Sequence, residues 1–343
     1  MSSESFIKDL FKSFFRSLFG VVGIGIGIVI VLMILGASFS GSSGVPHSTT
    51  ARVLPNDQWK VTSFSSETPT ILRINIHGTI GLDHLTKADI FKQLVESQDG
   101  ELRPGQVKAV LLSINSPGGM ADASDSIYRL LSEYKSRYKV PIYAYVDGLC
   151  ASGGMYIACA ADKIYASEDS LIGHVGVLLS PPFFNFTDLM DKLGIASKTL
   201  FAGKDKDSMN PFRPWRPNEG EAFQYIIDSM YDQFVSIVSK NRPKLTPAIL
   251  KEQGARVWPT SDATEFGYID GTANSSDEVL KNLAKEVGIE DNYQFVELET
   301  QNIFEVLFGA KTGPLFGPVE HRVRMPGDLH PDLYGKPLYM CVF

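Results

Sequence analysis

The chain has 343 residues with 32 basic and 39 acidic side chains, a formal net charge of −7. Its 44% hydrophobic content is ample for a large core, and the mild negative charge excludes a general nucleic-acid surface. The three cysteines form neither a metal spacing nor a disulfide framework, and the six histidines are scattered without an HExxH, so no metal or cofactor is expected.

Residues 1–19 interleave Phe6, Leu10, Phe11, Phe14 and Phe15 with Lys8, Lys12 and Arg16. The basic positions fall four apart, as on one stripe of an amphipathic helix lying on a membrane surface; a disordered basic leader is the alternative. Residues 20–39 carry no charge and are long enough to span a bilayer. Positive charge precedes this segment, which predicts a retained single-pass anchor with the N-terminus in the cytoplasm and the bulk of the chain outside. A cleavable signal peptide is the rival, with Ser38 and Ser40 as small residues at a cleavage spacing. Residues 40–67 read as a flexible linker, beginning with a Ser/Gly/Pro-rich run.

From residue 68 to 290, strand and helix patterns alternate. Strands are expected at 70–76, 107–114, 141–146, 163–166 and 197–201. Helices are expected at 85–95, 121–138, 187–193, 219–240 and 276–287. The alternation predicts an α/β domain with a mostly parallel sheet and flanking helices. Residues 291–343 read as a C-terminal extension, ending in a Pro- and Gly-rich tail that serves either as a loose end or as a partner segment.

Two glycine turns carry the chemistry. The run DGLCASGGMYIACAADKIYA at 147–166 follows one apolar strand, and NSPGG at 115–119 follows another. Ligands in such sheets bind beyond the carboxyl ends of the strands, where both turns fall. Ser152 would sit where free N–H groups and a helix start favour negative charge, as a nucleophile that creates an oxyanion requires. The Gly153 N–H adjoins it as one oxyanion donor. The alternative is a small-residue turn that merely packs a helix on the sheet. Cys150 is a second candidate nucleophile, though it lies before the glycine pair and has no evident base.

INSPGG (114–119), ASGG (151–154) and AADKIYA (160–166), in this order and spacing, resemble the signal peptide peptidase A family, also called protease IV. The resemblance runs from about residue 69 to about residue 283 and fits the short, single-unit form. It implies a Clp protease/crotonase-like fold and a serine endopeptidase of the bacterial cytoplasmic membrane, with its catalytic domain on the outer side. The implied substrates are residual signal peptides and other hydrophobic, membrane-associated peptides. A homo-oligomeric ring is implied too, each site completed by a neighbour's lysine. The family's nucleophile falls on Ser152. Its base, in a Gly-x-x-Lys pattern, falls on Lys206 after Gly203, with Lys204 as the alternative. Its second oxyanion donor falls on the N–H of Gly119, where a bulky side chain is expected to block catalysis. The chain departs from the pattern at His174, where the family has a serine that orients the lysine, and at Met155, where an aromatic is common. His174 is expected either to support the dyad, to act as base itself, or to be structural. Two other classes stay open on fold alone: a crotonase-like acyl-CoA enzyme and an inactive membrane scaffold.

Overall fold

A computed structural model describes residue 23, residues 48–82, 85–180, 182–301 and 336–340. Apart from Gly23, the expected anchor at 20–39 lies outside the described residues, as does the basic segment before it. Among the described residues no helix is long and apolar enough to cross a membrane. The chain divides into two units, 1–48 with 300–317 and 49–299 with 318–343. Of the first only residues 23, 48, 300 and 301 are described, and the architecture below is that of the second.

The centre is a run of parallel strands: β2 (Thr70–Ile80), β3 (Val107–Met120), β4 (Ile142–Ala151) and β5 (Lys163–Ala166). On β2 the side chains alternate. Leu72, Ile74 and Ile76 enter one core cluster and Ile71 enters the other. The first cluster packs against α2 (Ala121–Tyr138), α3 (Gly153–Ala158) and α5 (Glu221–Asn241), through Ile127, Leu131, Met155, Ile157, Phe234 and Val238. The second packs against α8 (Ser276–Glu286), through Val279, Leu280 and Leu283. Helices thus cover both faces, as a parallel sheet demands. α1 (Lys87–Glu96) starts at a capping box. Its Thr86 hydroxyl accepts from the Asp89 N–H, and the Asp89 carboxylate accepts from the Thr86 N–H. The expected α/β class and flanking helices are therefore present.

Several boundaries differ from expectation. The expected linker supplies β1 (Ser48–Leu54), and the sheet continues past residue 290 in β10 (Gln294–Gln301), giving the order β1-β10-β2-β3-β4-β5-β9, with β9 at Gly271–Thr272. β10 lies parallel to β2, with Phe295 and Leu298 buried. The SPGG segment is the end of β3 rather than a turn. Register shifts between His77 and Thr79 and between Ile114 and Ser116 let the strand bend away while staying paired. Residues 197–201 form no strand. α4 (Thr187–Leu193) matches its expected bounds but buries none of its residues. The apolar side of α5 is covered only toward its C-terminal half: Phe234, Val235 and Val238 are buried, whereas Tyr225 and Ile226 are exposed.

The tail contributes as well. β11 (Lys336–Met340) runs antiparallel to the end of β3, pairing Leu338 with Met120, Tyr339 with Gly119 and Met340 with Gly118. It also runs antiparallel to β7 (Leu178–Ser180), pairing Lys336 with Ser180 and Leu338 with Leu178.

Candidate active site

Ser152 stands between β4 and α3. Its φ of 53° and ψ of −115° are rare for a residue with a side chain. The backbone is held from both sides: the Ser152 N–H donates to the Gly173 carbonyl (2.8 Å), and its carbonyl accepts from the Tyr156 N–H (2.9 Å). The hydroxyl does not cap the helix that begins beside it. Ser152 Oγ is buried and has no hydrogen-bond partner among the described residues. An unmade hydrogen bond on a buried hydroxyl costs about 1–3 kcal/mol, and a strained backbone conformation costs about as much again. Concentrating both costs on one serine yields a hydroxyl held rigidly and left free.

The glycines around it are there for space. A Cβ on Gly153 would lie 2.5 Å from Ser124 Oγ and 3.1 Å from Ile80 Cδ1. Gly118 has a φ of +100°, and a Cβ there would lie 2.8 Å from the Gly153 nitrogen and collide with the Tyr339 carbonyl oxygen. The Gly118 N–H is already spent on Ser116 Oγ (3.1 Å), and that hydroxyl donates to the Gly78 carbonyl (2.6 Å). Buried Ser116 thus ties the ends of β2 and β3 together just before Gly119, which pairs with Ile80 of β2. Sequence reasoning named Gly119 and Gly153 but not Ser116, although the serine of SPGG was its visible signal. The expectation about Gly119 itself needs revision. A side chain there would run into the backbone of Ile80, so a bulky substitution would part β2 from β3 rather than probe an oxyanion donor.

His174 lies on the same wall, next to Gly173, which pairs with Ala151. It adopts a φ of 56° and donates its N–H to the Arg256 carbonyl (2.7 Å). Burial pushes its imidazole pKa below the usual value, partly offset by interaction with its own backbone carbonyl. Among the described residues its Nδ1 is buried without a partner, and so is Ser152 Oγ, so no Ser152–His174 hydrogen bond is present. Cys150 is fully buried. Burial first, then the neighbouring Cys159, drives its thiol pKa far above the ordinary value, which keeps it a protonated packing group.

Lys206 is exposed and makes no hydrogen bond to Ser152 within this chain. Lys204 is exposed as well. The loop that carries them is nonetheless built. The Arg213 guanidinium donates to Asp207 (Nε to Oδ2, 2.6 Å) and Glu219 (Nη1 to Oε2, 2.9 Å). Glu219 also accepts from the backbone N–H groups of Met209 (2.8 Å) and Arg216 (2.7 Å). Arg213 holds the Glu219 carboxyl down to about 2 and lowers that of Asp207 too. Around this loop lies an apolar surface: Phe184, Leu189, Phe201 and Phe212 are exposed, and Leu200 is 84% exposed.

Facing the Ser152 turn, Tyr339 of the tail is buried. Its ring stacks on Tyr156 (5.2 Å between centroids, 19°) and packs against Phe234 (4.7 Å). Its hydroxyl donates to the Met230 carbonyl (3.0 Å). Tyr156 is itself fixed by donating to Asp125 (2.7 Å) and accepting from Gln233 (3.0 Å).

Two family profiles match the chain: Clp protease over residues 74–172 and Peptidase family S49 over residues 135–290. Between them they cover the central strands, Ser152, Lys206 and the helices that follow, which places the chain among Clp-like serine peptidases. An Enterococcus faecium protein named as signal peptide peptidase SppA is 36% identical over 54% of this chain and 53% of its own length. A Methanocaldococcus jannaschii protein named as a protease is 36% identical over 60% of this chain and 70% of its own. The chloroplastic serine protease SPPA of Arabidopsis thaliana is 32% identical over 55% of this chain and 28% of its own. The matched region thus spans about half the length of the E. faecium relative and little more than a quarter of the plant one. The chain belongs to peptidase family S49.

Proposed function

We propose that the chain is a membrane-anchored serine endopeptidase in which Ser152 attacks a peptide carbonyl and Lys206 of a neighbouring subunit takes its proton. The observation that carries this reading is Ser152 itself, strained, buried and with its hydroxyl free. A serine needs a base, and none bonds it among the described residues. A lysine base must be neutral when it accepts a proton, and burial favours the neutral form. The exposed apolar surface around Lys206 would supply that burial when a second copy covers it. A head-to-tail contact repeated around a closed ring presents the same shared site at every interface. The Gly119 and Gly153 N–H groups are the oxyanion donors in this scheme.

The names of the relatives support peptide substrates, and that of the E. faecium protein supports signal peptides. The uncharged segment at 20–39 after a basic stretch supports an anchor in a cytoplasmic membrane with the N-terminus inside. Hydrophobic peptide remnants would then reach a domain held beside the bilayer. The test is co-expression of Ser152→Ala with Lys206→Ala, each inactive alone. Mixed rings regain peptide hydrolysis where an intact serine meets a neighbour's intact lysine. Mixed rings that form but stay inactive would place both residues in one subunit. A fluorophosphonate that fails to label Ser152 in the active protein would refute the nucleophile.

A further inference from the structure

The stretch that carries Lys206 is held without a core. Of the described residues from 182 to 220, Asp207 alone is buried, and it directly follows Lys206. Apolar burial therefore does not fix this stretch, and its polar bonds must. They converge on one side chain. The Arg213 guanidinium has five N–H groups, and all five are engaged. Nε donates to Asp207 Oδ2 (2.6 Å), and Nη1 to Glu219 Oε2 (2.9 Å) and the Pro214 carbonyl (2.9 Å). Nη2 donates to the Asp207 carbonyl and to Glu219 Oε1. A rigid planar fork with every donor used fixes where its acceptors stand.

Those acceptors join Lys206 to the sheet. The Glu219 side chain is 3% exposed and stands just before α5, whose far half enters the core through Phe234 and Val238. From Glu219 the connection runs through Arg213 to both the carboxylate and the carbonyl of Asp207, the residue next to Lys206. Asn210 closes the other side, donating to Asp207 Oδ1 (2.6 Å) and to Thr199 Oγ1 (2.9 Å). The turn itself is strained. Asp205 and Met209, on either side of Lys206, have φ of 61° and 57°. Side chains rarely adopt that region, and such a backbone persists only where its surroundings over-determine it.

We propose that Arg213 is a positioning residue for the reaction: it holds the Lys206 loop in its finished shape on the free subunit, so that the lysine meets the neighbour's Ser152 already in place. This rests on the reading of Lys206 as the base. Arg213 acts through Asp207, since its N–H groups are all engaged within the loop and none is left for a substrate.

The test removes the fork and returns it in solution. A cavity of about 350 Å³ lined by Asp207, Asn210, Arg213 and Arg216 lies beside the guanidinium, so a small cation can reach the space that Arg213→Ala vacates. Peptide hydrolysis is measured per assembled particle, with particle mass followed by light scattering. Arg213→Ala should lower kcat about a hundredfold and leave KM within about threefold, as for a misplaced base with unaltered substrate contacts. Guanidinium ion, well below denaturing concentrations, should recover about tenfold of that loss. Urea, planar but uncharged, should recover none, and Arg213→Lys should stay as slow as Arg213→Ala because it supplies charge without the fork. Mixed rings of Ser152→Ala with Lys206→Ala then locate the effect. Arg213→Ala added to the chain that keeps Lys206 should abolish the restored hydrolysis. Added to the chain that keeps Ser152, it changes a loop that already lacks its lysine, and hydrolysis should persist. Wild-type kcat in Arg213→Ala, no recovery with guanidinium, full activity in Arg213→Lys, or equal loss in both mixed arrangements overturns the proposal. Parent mixed rings that form but stay inactive overturn the shared site instead, and the guanidinium result then decides the role of Arg213 within one subunit.

Discussion

Removing the Ser152 hydroxyl should make the folded chain more stable, and the size of the gain should depend on Lys206. Ser152 Oγ is buried without a partner, so Ser152→Ala discards an unmade hydrogen bond at almost no packing cost. In a Lys206→Ala background, where no lysine reaches the hydroxyl, the expected gain is about 1–3 kcal/mol. For a domain of this size each kcal/mol moves the melting temperature by about 2–4 °C. If a neighbouring subunit's Lys206 bonds the hydroxyl, as proposed, the gain shrinks when Lys206 is intact and the protein is assembled. The difference between the two backgrounds is the coupling between Ser152 and Lys206, expected at about 0.5–1.5 kcal/mol for a hydrogen bond to a neutral amine. Ser152→Gly should add to the gain by relieving the positive φ, about 1–3 kcal/mol, less about 0.5–1 kcal/mol for the extra freedom of glycine in the unfolded chain. The assay is thermal unfolding of the four proteins of the cycle, at one protein concentration so that assembly contributes equally. A loss of stability for Ser152→Ala in the Lys206→Ala background would mean that the hydroxyl is bonded within the chain, and the free nucleophile would be wrong. Equal gains in both backgrounds would mean that Lys206 never reaches it.

Three further outcomes are expected. Ser116→Ala leaves the Gly78 carbonyl and the Gly118 N–H unpaired, costing about 1–3 kcal/mol and lowering kcat by up to about a hundredfold; unchanged kcat would show that the segment needs no brace. Gly153→Ala pushes a methyl against Ser124 Oγ and Ile80, costing about 1–3 kcal/mol, and Ser124→Ala should restore most of that stability in denaturant titration; no rescue would place the clash elsewhere. The Lys206 loop should open in acid. The folded pKa of Glu219 is depressed to about 2, so its contribution is complete above the ordinary carboxylate value of 4.5 and is lost as pH falls from there through about 2. Limited proteolysis with an acid-tolerant protease should show the loop cut progressively over that window, and Arg213→Met should be cut throughout; a wild-type loop equally resistant across the window would remove Arg213 and Glu219 as its fastening.

The elements legible in the sequence were those whose burial follows a local period. α2 and β5 fall where their patterns end, because a helix covering a parallel sheet must show it in every turn, and a strand that buries alternate residues, as β5 buries Ile164 and Ala166, shows a period of two. The elements that were not legible take their structure from partners distant in the chain. β10 is a strand because β2 offers it an edge, 224 positions away in its first pair (294 − 70). Residues 336–340 contain Pro337, which argues against a strand from sequence alone, and pair only because β3 and β7 leave a gap of the right width. Residues 197–201 show the reverse: their pattern suits a strand, but no edge receives them.

The site divides along the same line. Ser152 and the glycines were readable because their roles are backbone roles, fixed by a strand running into a helix, and only small residues satisfy that geometry. Ser116 was harder, since its work is to bind two main-chain groups that meet only after β2 and β3 have paired. Lys206 was readable only through a motif, and the single folded chain leaves it exposed and unbonded to the buried serine. Two buried polar atoms at the site, Ser152 Oγ and His174 Nδ1, have no hydrogen-bond partner among the described residues. Buried groups of that kind are seldom left unmatched in a finished structure. The proposed shared site would supply those missing contacts from a neighbouring subunit. That is why the decisive measurements concern the Ser152–Lys206 coupling across an interface rather than either residue by itself.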